Sequence, residues 1–144
     1  MELVLKMAQA RLSPPTFGQL GATAVYQLGH DYYRPMIAEY QRRRNILKDS
    51  LDQMDGVFCP QIDGAFYAMV KLPVDDTDRF CQWMLESFEH EGATVMMAPG
   101  SGFYASSTMG HDQVRIAYVL NSTDLQSAMN CLAAGLEAYQ GAAV

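Results

Sequence analysis

Arg115 is the charged side chain of this sequence whose surroundings most clearly favour chemistry. It lies in segment 114–119, Val-Arg-Ile-Ala-Tyr-Val, where the alternation of a strand places the arginine on the face opposite the larger apolar side chains. Its neighbours on its own face are small and apolar, and a guanidinium there is costly unless a planar anion pairs with it. Arg115 is therefore a candidate anion ligand. The alternatives are an edge-strand arginine or an ion pair with Asp112 or Glu137.

Two glycine-containing segments precede this strand in the chain. Residues 60–67 read Pro-Gln-Ile-Asp-Gly-Ala-Phe-Tyr and lead into an apolar segment, and residues 98–103 read Ala-Pro-Gly-Ser-Gly-Phe and leave another. Glycine at such places serves turn geometry alone, or it lets the backbone approach a ligand closely. The residues themselves leave both interpretations open.

Other chemistries lack the residues that they need. Segment 100–105 fits the Gly-x-Gly-x-x-Ala dinucleotide fingerprint, but residues 106–110, Ser-Ser-Thr-Met-Gly, have no helical stripe. The histidines, His30, His90 and His111, have no metal-ligand spacing, so we expect no metal site. No Gly-x-Ser-x-Gly nucleophile elbow occurs. A net charge of -6 argues against nucleic acid, and no apolar run is long enough to cross a membrane.

Composition and cysteine usage indicate a cytoplasmic protein of one domain's length. The chain has 144 residues, 49% of them hydrophobic and 18% charged, which is typical of a globular domain. An acidic residue stands near the N-terminus, where a signal peptide has basic ones. The three cysteines, Cys59, Cys81 and Cys131, are odd in number and widely spaced, so we expect reduced, buried thiols.

Hydrophobic periodicity predicts the elements that position these residues. Predicted helices cover about residues 1–10, 17–28, a long stretch from after 31 to about 54, 78–89, and the chain's end from 123, and predicted strands cover 65–70, 94–97 and 114–119. This order predicts an α+β fold, in which a small, mainly antiparallel sheet has helices packed on one face.

Two local patterns on these helices carry their own predictions. Thr123-Asp124-Leu125-Gln126 reads as a capping box at the start of the closing helix. Arg42-Arg43-Arg44 lies on the long helix, and we expect this charge run to be a solvated face with ion pairs. The apolar side chains of the long helix, from Tyr33 to Met54, are expected to form one face.

Taken together, these segments resemble the end of the class I/II aminotransferases, which are fold-type I enzymes dependent on pyridoxal phosphate. The resemblance rests on Pro-x-x-x-Gly-Ala-Phe-Tyr, Ala-Pro-Gly-Ser-x-Phe and Val-Arg-Ile-Ala-Tyr, in this order before an amphipathic helix. It covers essentially the whole chain, and an aspartate-aminotransferase-like enzyme is the nearest likeness. It implies that the full-length protein is a homodimer that moves an amino group between an amino acid and a 2-oxo acid.

The resemblance also implies roles for individual residues. Arg115 matches the arginine that holds the α-carboxylate of the substrate, because a bidentate fork suits that planar anion. Gly64 and Phe66 match the segment that lies over the substrate mouth. Gly100 and Phe103 match the loop that shapes the same wall.

Groups that would hold the cofactor are mostly lacking. Ser13 lies in a stretch that, in relatives, comes close to the cofactor phosphate of the neighbouring subunit. The Schiff-base lysine of the family has no counterpart, since Lys6, Lys48 and Lys71 all lack a Ser-x-x-Lys context. The aspartate that pairs with the pyridine nitrogen and the glycine-rich phosphate segments are also missing, so the cofactor would be neither linked nor tuned.

We therefore expect a fragment that is inactive and binds no cofactor on its own. Residues 1–16 would be the end of the helix and loop that join a missing large domain, and residues 17–144 would be the C-terminal small domain. Two alternatives stay open. One is the same fold with a different pyridoxal-phosphate chemistry, that of a C–S lyase or a decarboxylase. The other is a stand-alone regulatory domain that binds a small molecule.

Overall fold

The computed structural model describes residues 1–10 and 14–142, which divide into two units, Met1–Ile37 and Ala38–Val144. The first unit contains α1 (Glu2–Gln9), α2 (Thr16–Tyr26) and the beginning of α3 (His30–Leu51). Both short helices were predicted, and neither buries a single residue. No helix in the described ranges is both long enough and apolar enough to span a membrane.

The long helix α3 is buried only at its C-terminal end. Leu47 and Leu51 are fully buried, whereas Met36 and Ile37 are about half exposed although they continue the same apolar pattern. The predicted apolar face therefore meets the core from Tyr40 onward, where Tyr40 and Ile46 are partly buried against it. The helix also ends at Leu51, earlier than predicted, and a turn follows in which Gly56 has a φ of +76°.

The second unit is built on a three-stranded antiparallel sheet, which confirms the predicted α+β fold. Its strands are β1 (Tyr67–Lys71), β2 (Ala98–Pro99) and β3 (Gln113–Ala117), and β3 lies in the middle. Tyr67 of β1 pairs with Ala117, and Ala98 of β2 pairs with Arg115.

The strand predicted at 94–97 is wrong, because β2 begins only at Ala98 and has two residues. Met97 is buried and Met96 is exposed, and neither pairs with β3. Thr94 instead uses its hydroxyl to donate a hydrogen bond to the Met84 carbonyl at 2.7 Å. Pro99 has no N–H, so β2 is confined to an edge position.

One face of the sheet is covered by helices. The core joins the sheet to the end of α3, to α4 (Thr77–Glu86) and to α5 (Ser122–Ala142). Its members include Ala68, Val70, Val114 and Ile116 from the strands, Phe80 and Met84 from α4, and Leu125, Met129, Leu132 and Leu136 from α5. The alternation that buries Val114 and Ile116 leaves Arg115 exposed on the other face.

Side chains cap the N-termini of α4 and α5, and the cap of α5 differs from the sequence prediction. Asp76 caps α4, since its Oδ1 accepts a hydrogen bond from the Arg79 amide at 3.1 Å. The capping residue of α5 is Asn121 rather than Thr123, because the Asn121 Oδ1 accepts from the Asp124 amide at 2.9 Å. The Asn121 amide in turn donates to the Asp124 carboxylate at 2.7 Å. The start of α5 is therefore capped two residues earlier than predicted, by a reciprocal Asn121–Asp124 pair and not by a capping box at Thr123.

Candidate functional site

Arg115 lies on the exposed face of the sheet between two aromatic side chains. Its Cζ is 4.7 Å from the ring centroid of Phe103 and 5.3 Å from that of Tyr67. Tyr67 comes from β1, and Phe103 comes from the single 3₁₀ turn Ser101–Phe103 that follows β2. A guanidinium over an aromatic face is attracted by the ring quadrupole, so both rings restrain the arginine.

No carboxylate pairs with Arg115 in the part of the chain that the structure describes. The alternative pairing with Asp112 is wrong, because the Asp112 carboxylate binds the Lys71 ammonium at 2.7 Å. That hydrogen bond lowers the pKa of Asp112. Glu137 forms no ion pair with Arg115 either. The guanidinium donors are therefore not engaged by a carboxylate among residues 1–10 and 14–142, and they can receive a planar anion.

The segment from Gly64 to Phe66 is fixed next to these rings by Tyr118. The Tyr118 hydroxyl donates to the Ala65 carbonyl at 2.8 Å, and its amide donates to the Phe66 carbonyl at 2.9 Å. Ala65 has a φ of 62°, a left-handed conformation that costs a residue with a side chain about 1–2 kcal/mol. Phe66 is half exposed and meets Tyr67 edge to face, with ring centroids 5.4 Å apart. Nothing lies within 4 Å of a Cβ built on Gly64, so packing does not demand glycine there.

Gly100 lies in close backbone packing beneath the turn that carries Phe103. A Cβ at Gly100 would lie 2.7 Å from the carbonyl oxygens of Gln113 and Gly110. Its amide also donates to the Gln113 carbonyl at 2.7 Å. The geometry of this turn therefore accounts for a glycine at position 100, whether or not a ligand approaches it.

The residues that bear on the cofactor are Ser13 and the three lysines. Ser13 lies outside the described residues. Each lysine is in an ion pair: Lys6 with Glu2 at 3.0 Å, Lys71 with Asp112, and Lys48 with Asp52. The hydrogen bonds that Lys48 donates to the Asp52 carboxylate raise the pKa of Lys48. A raised pKa favours the protonated amine, so Lys48 is a poor nucleophile.

The arginine run 42–44 is a solvated face only in part. Arg42 is exposed and pairs with Glu39 at 3.3 Å, as predicted. Arg43 is largely buried, with 19% of its side chain exposed, and its Nη1 donates to the Val119 carbonyl at 2.7 Å. Arg44 donates to the Ile62 carbonyl at 3.4 Å. These two side chains tie α3 to distant loops, which a local charge pattern does not reveal.

The cysteines confirm the prediction of reduced, buried thiols. Cys59, Cys81 and Cys131 are all buried and free. Burial raises the pKa of Cys81 to about 11, and it also raises the pKa of the other two. A protonated, inaccessible thiol is a poor nucleophile, so the cysteines are structural.

Solved structures show which fold this arrangement belongs to. The chain superposes on the alanine aminotransferase of Pyrococcus furiosus with a TM-score of 0.75, at 24% identity, over 92% of this chain and 32% of that one. It superposes on the aspartate aminotransferase of Rhizobium meliloti with a TM-score of 0.71, at 26% identity, over 92% and 34%. The fold is therefore that of the small domain of fold-type I aminotransferases.

Sequence relatives point to one branch of these enzymes. The chain is 29% identical to an aspartate aminotransferase of Rhizobium meliloti over 94% of its own length and 35% of that protein's. It is 33% identical to an aspartate aminotransferase of Pyrococcus horikoshii over 71% and 25%. No protein-family model matches the chain. The chain is thus a homologue of aspartate aminotransferases, and it spans about a third or less of the length of these curated relatives.

Proposed function

We propose that this chain supplies the carboxylate-binding wall of a pyridoxal-phosphate-dependent aminotransferase that moves an amino group between an amino acid and a 2-oxo acid. The observation that carries the proposal is Arg115, which is exposed between Tyr67 and Phe103 and has no carboxylate partner in the described ranges. Relatives that are aspartate aminotransferases support this choice of reaction.

In this proposal Arg115 anchors the group that all substrates share. The guanidinium of Arg115 donates two parallel hydrogen bonds to the α-carboxylate, which fixes the orientation of the Cα–H bond. Tyr67 and Phe103 limit the swing of the guanidinium, so less entropy is lost when the anion binds. The Gly64 segment and Phe66 lie beyond Tyr67 and form the outer wall of the mouth.

In this proposal the described residues do not supply the cofactor lysine, because Lys6, Lys48 and Lys71 all lack a Ser-x-x-Lys context and each pairs with a carboxylate. Pyridoxal phosphate supplies the electron sink of such enzymes. The lysine and the phosphate ligands would have to come from protein outside this chain. We therefore propose that the full-length enzyme is a cytoplasmic homodimer and that this chain alone is inactive. Three free, buried cysteines are consistent with a reducing compartment.

Kinetics of Arg115→Lys in the full-length enzyme test the proposal. Lysine keeps the charge but loses the fork, so kcat/KM should fall by the equivalent of roughly 2–4 kcal/mol. The loss should be similar for every amino acid accepted, because the contact does not involve the substrate side chain.

Arg79→Lys is the matched control, since Arg79 is an exposed arginine that already pairs with Asp75. It should leave kcat/KM unchanged, and this chain alone should show no turnover. An Arg115→Lys enzyme within twofold of wild type would show that Arg115 is structural. Products of C–S cleavage or decarboxylation, instead of a 2-oxo acid, would favour the alternative chemistries.

A further inference from the structure

His111 is placed where only its protonated ring satisfies both of its partners. Its Nδ1 lies 3.2 Å from the Asp76 Oδ2, and its Nε2 lies 2.9 Å from the Ser107 carbonyl oxygen. A carbonyl and an ionised carboxylate only accept hydrogen bonds, whereas a neutral imidazole has a single N–H. The charged ring has two donors, and a neutral ring would turn a lone pair toward one of the acceptors.

The two acceptors belong to different parts of the fold. Asp76 caps α4, and Ser107 lies in the β2–β3 loop, residues 100–112. Within the same loop, the 3₁₀ turn carries Phe103, and the Ser101 hydroxyl donates to the Asp78 carboxylate at 2.8 Å. His111 itself belongs to this loop, and its backbone carbonyl accepts a hydrogen bond from the Thr77 amide of α4 at 2.8 Å. Its ring adds one contact to the cap of α4, at Asp76, and one within the loop that stacks on Arg115, at Ser107.

The charges around the ring favour its protonated form. One ring nitrogen of His111 and one carboxylate oxygen from each of Asp76 and Asp78 all lie within 4.8 Å of one another. The nearby cations are committed elsewhere, since Arg79 pairs with Asp75 at 2.9 Å and Lys71 pairs with Asp112 at 2.7 Å.

The same contacts shift the titration of both partners. The Ser107 carbonyl and then the Asp76 carboxylate raise the pKa of His111. The Arg79 amide, followed by the His111 ring, lowers the pKa of Asp76.

We propose that protonated His111 holds the Ser107 segment of the β2–β3 loop and the Asp76 cap of α4 at the same time, as a latch, and that loss of the ring proton to solvent releases one of the two contacts. The latch is then closed when His111 is charged and Asp76 is ionised, and it opens as pH rises. The raised pKa of His111 is a property of the folded state. The contribution of the latch to folding stability is therefore fully present below the ordinary histidine pKa of about 6.5. It is lost as pH rises through the higher, folded-state pKa. This inference goes beyond the proposed function and does not depend on it.

An NMR titration of this chain tests the latch. The C–H resonances of His111 should titrate with a midpoint above the ordinary histidine value of about 6.5. The backbone amides of Ser107 and Thr108 should shift with the same midpoint, because the loop responds to the ring. A midpoint at or below the ordinary value, or loop amides that do not follow it, would overturn the proposal.

Two variants separate the contact from the general effect of charge. Asp76→Asn keeps an N-cap of equal quality but removes the carboxylate, so the midpoints of His111 and of the loop amides should fall together. Asp75→Asn removes one charge from the same helix start without touching the ring, and it should move the midpoints less. Equal shifts in the two variants, or no shift in Asp76→Asn, would contradict a specific latch.

A third variant, His111→Gln, should abolish the pH dependence of the loop amides. If the loop amides of this variant still titrate, the proposal is refuted.

Discussion

At the scale of single residues, the β2–β3 loop depends on two glycines that face each other. Gly100 cannot carry a Cβ without meeting the Gly110 carbonyl oxygen at 2.7 Å, and a Cβ on Gly110 would lie 2.6 Å from the Gly100 carbonyl oxygen. Gly110 also has a φ of +82°, where a side chain is strained. A Cβ on Gly110 would also lie 2.6 Å from the Tyr104 Cδ2, but the carbonyl oxygens are backbone atoms and cannot give way as a flexible side chain can.

Gly110→Ala should therefore destabilise the chain more than a typical glycine substitution does. Alanine at positive φ costs about 1 kcal/mol, and forcing extra volume into close packing adds roughly 1–3 kcal/mol. Gly92→Ala is the matched control, because Gly92 has a φ of +78° but nothing within 4 Å of its Cβ position. Urea unfolding of the two variants measures the difference. Equal losses would show that the Gly100–Gly110 contact is not tight in solution.

The sequence predicted that Arg115 lies on the face opposite Val114 and Ile116, but it did not indicate the two aromatic contacts of the arginine. Alternation along 114–119 is a local property, and β3 follows it, with Val114 and Ile116 buried and Arg115 exposed. The contact with Tyr67 depends on the register between β1 and β3, and the contact with Phe103 depends on a turn after β2. Register is set by pairing across the whole sheet, so no short window of sequence contains it.

At the scale of elements, the start of α5 shows how a cap is chosen. Asn121, Thr123 and Asp124 all have side chains that can cap a helix, and the sequence prediction selected the box at Thr123. The structure uses Asn121, whose side-chain oxygen accepts from the Asp124 backbone amide and whose side-chain NH₂ donates to the Asp124 carboxylate. A helix start is fixed by where the chain leaves the preceding strand, and the polar residues at positions 121–124 offer several equivalent sites.

The cap assignment predicts unequal effects of two alanine substitutions. Asn121→Ala removes the acceptor of the Asp124 amide and should cost about 1 kcal/mol of unfolding free energy. Thr123→Ala changes an exposed side chain within the first turn and should be close to neutral. Thermal or urea unfolding compares them directly. A larger loss for Thr123→Ala would restore the box predicted from the sequence.

Helices were easier to predict than the edge strand. The helical stripes of α4 and α5 repeat over several turns, and Phe80, Met84, Leu125 and Met129 are buried as those stripes require. Segment 94–97 is apolar and short, which fits a strand or a packed loop equally well. Such a segment is a strand only if a neighbouring strand pairs with it, and pairing to β3 starts at Ala98.

At the scale of the whole molecule, much apolar surface of the first unit has no cover. The large hydrophobic side chains of α1 and α2 are exposed, among them Leu3, Leu5, Met7, Phe17 and Leu20. Patches of this kind mark surfaces that bind protein, and they favour association when they stay open. In the proposed full-length enzyme, other parts of the protein would cover them.

The chain on its own should therefore self-associate as its concentration rises. Sedimentation velocity over a wide concentration range should show species larger than a monomer. Phe17→Gln together with Leu20→Gln replaces side chains that are 89% and 64% exposed, and the pair should shift the distribution toward monomer. Met96→Gln is the control, because Met96 is 81% exposed but lies in the second unit, so its loss should leave association unchanged. A wild-type chain that stays monomeric throughout would show that the exposed side chains of α1 and α2 do not form an adhesive surface.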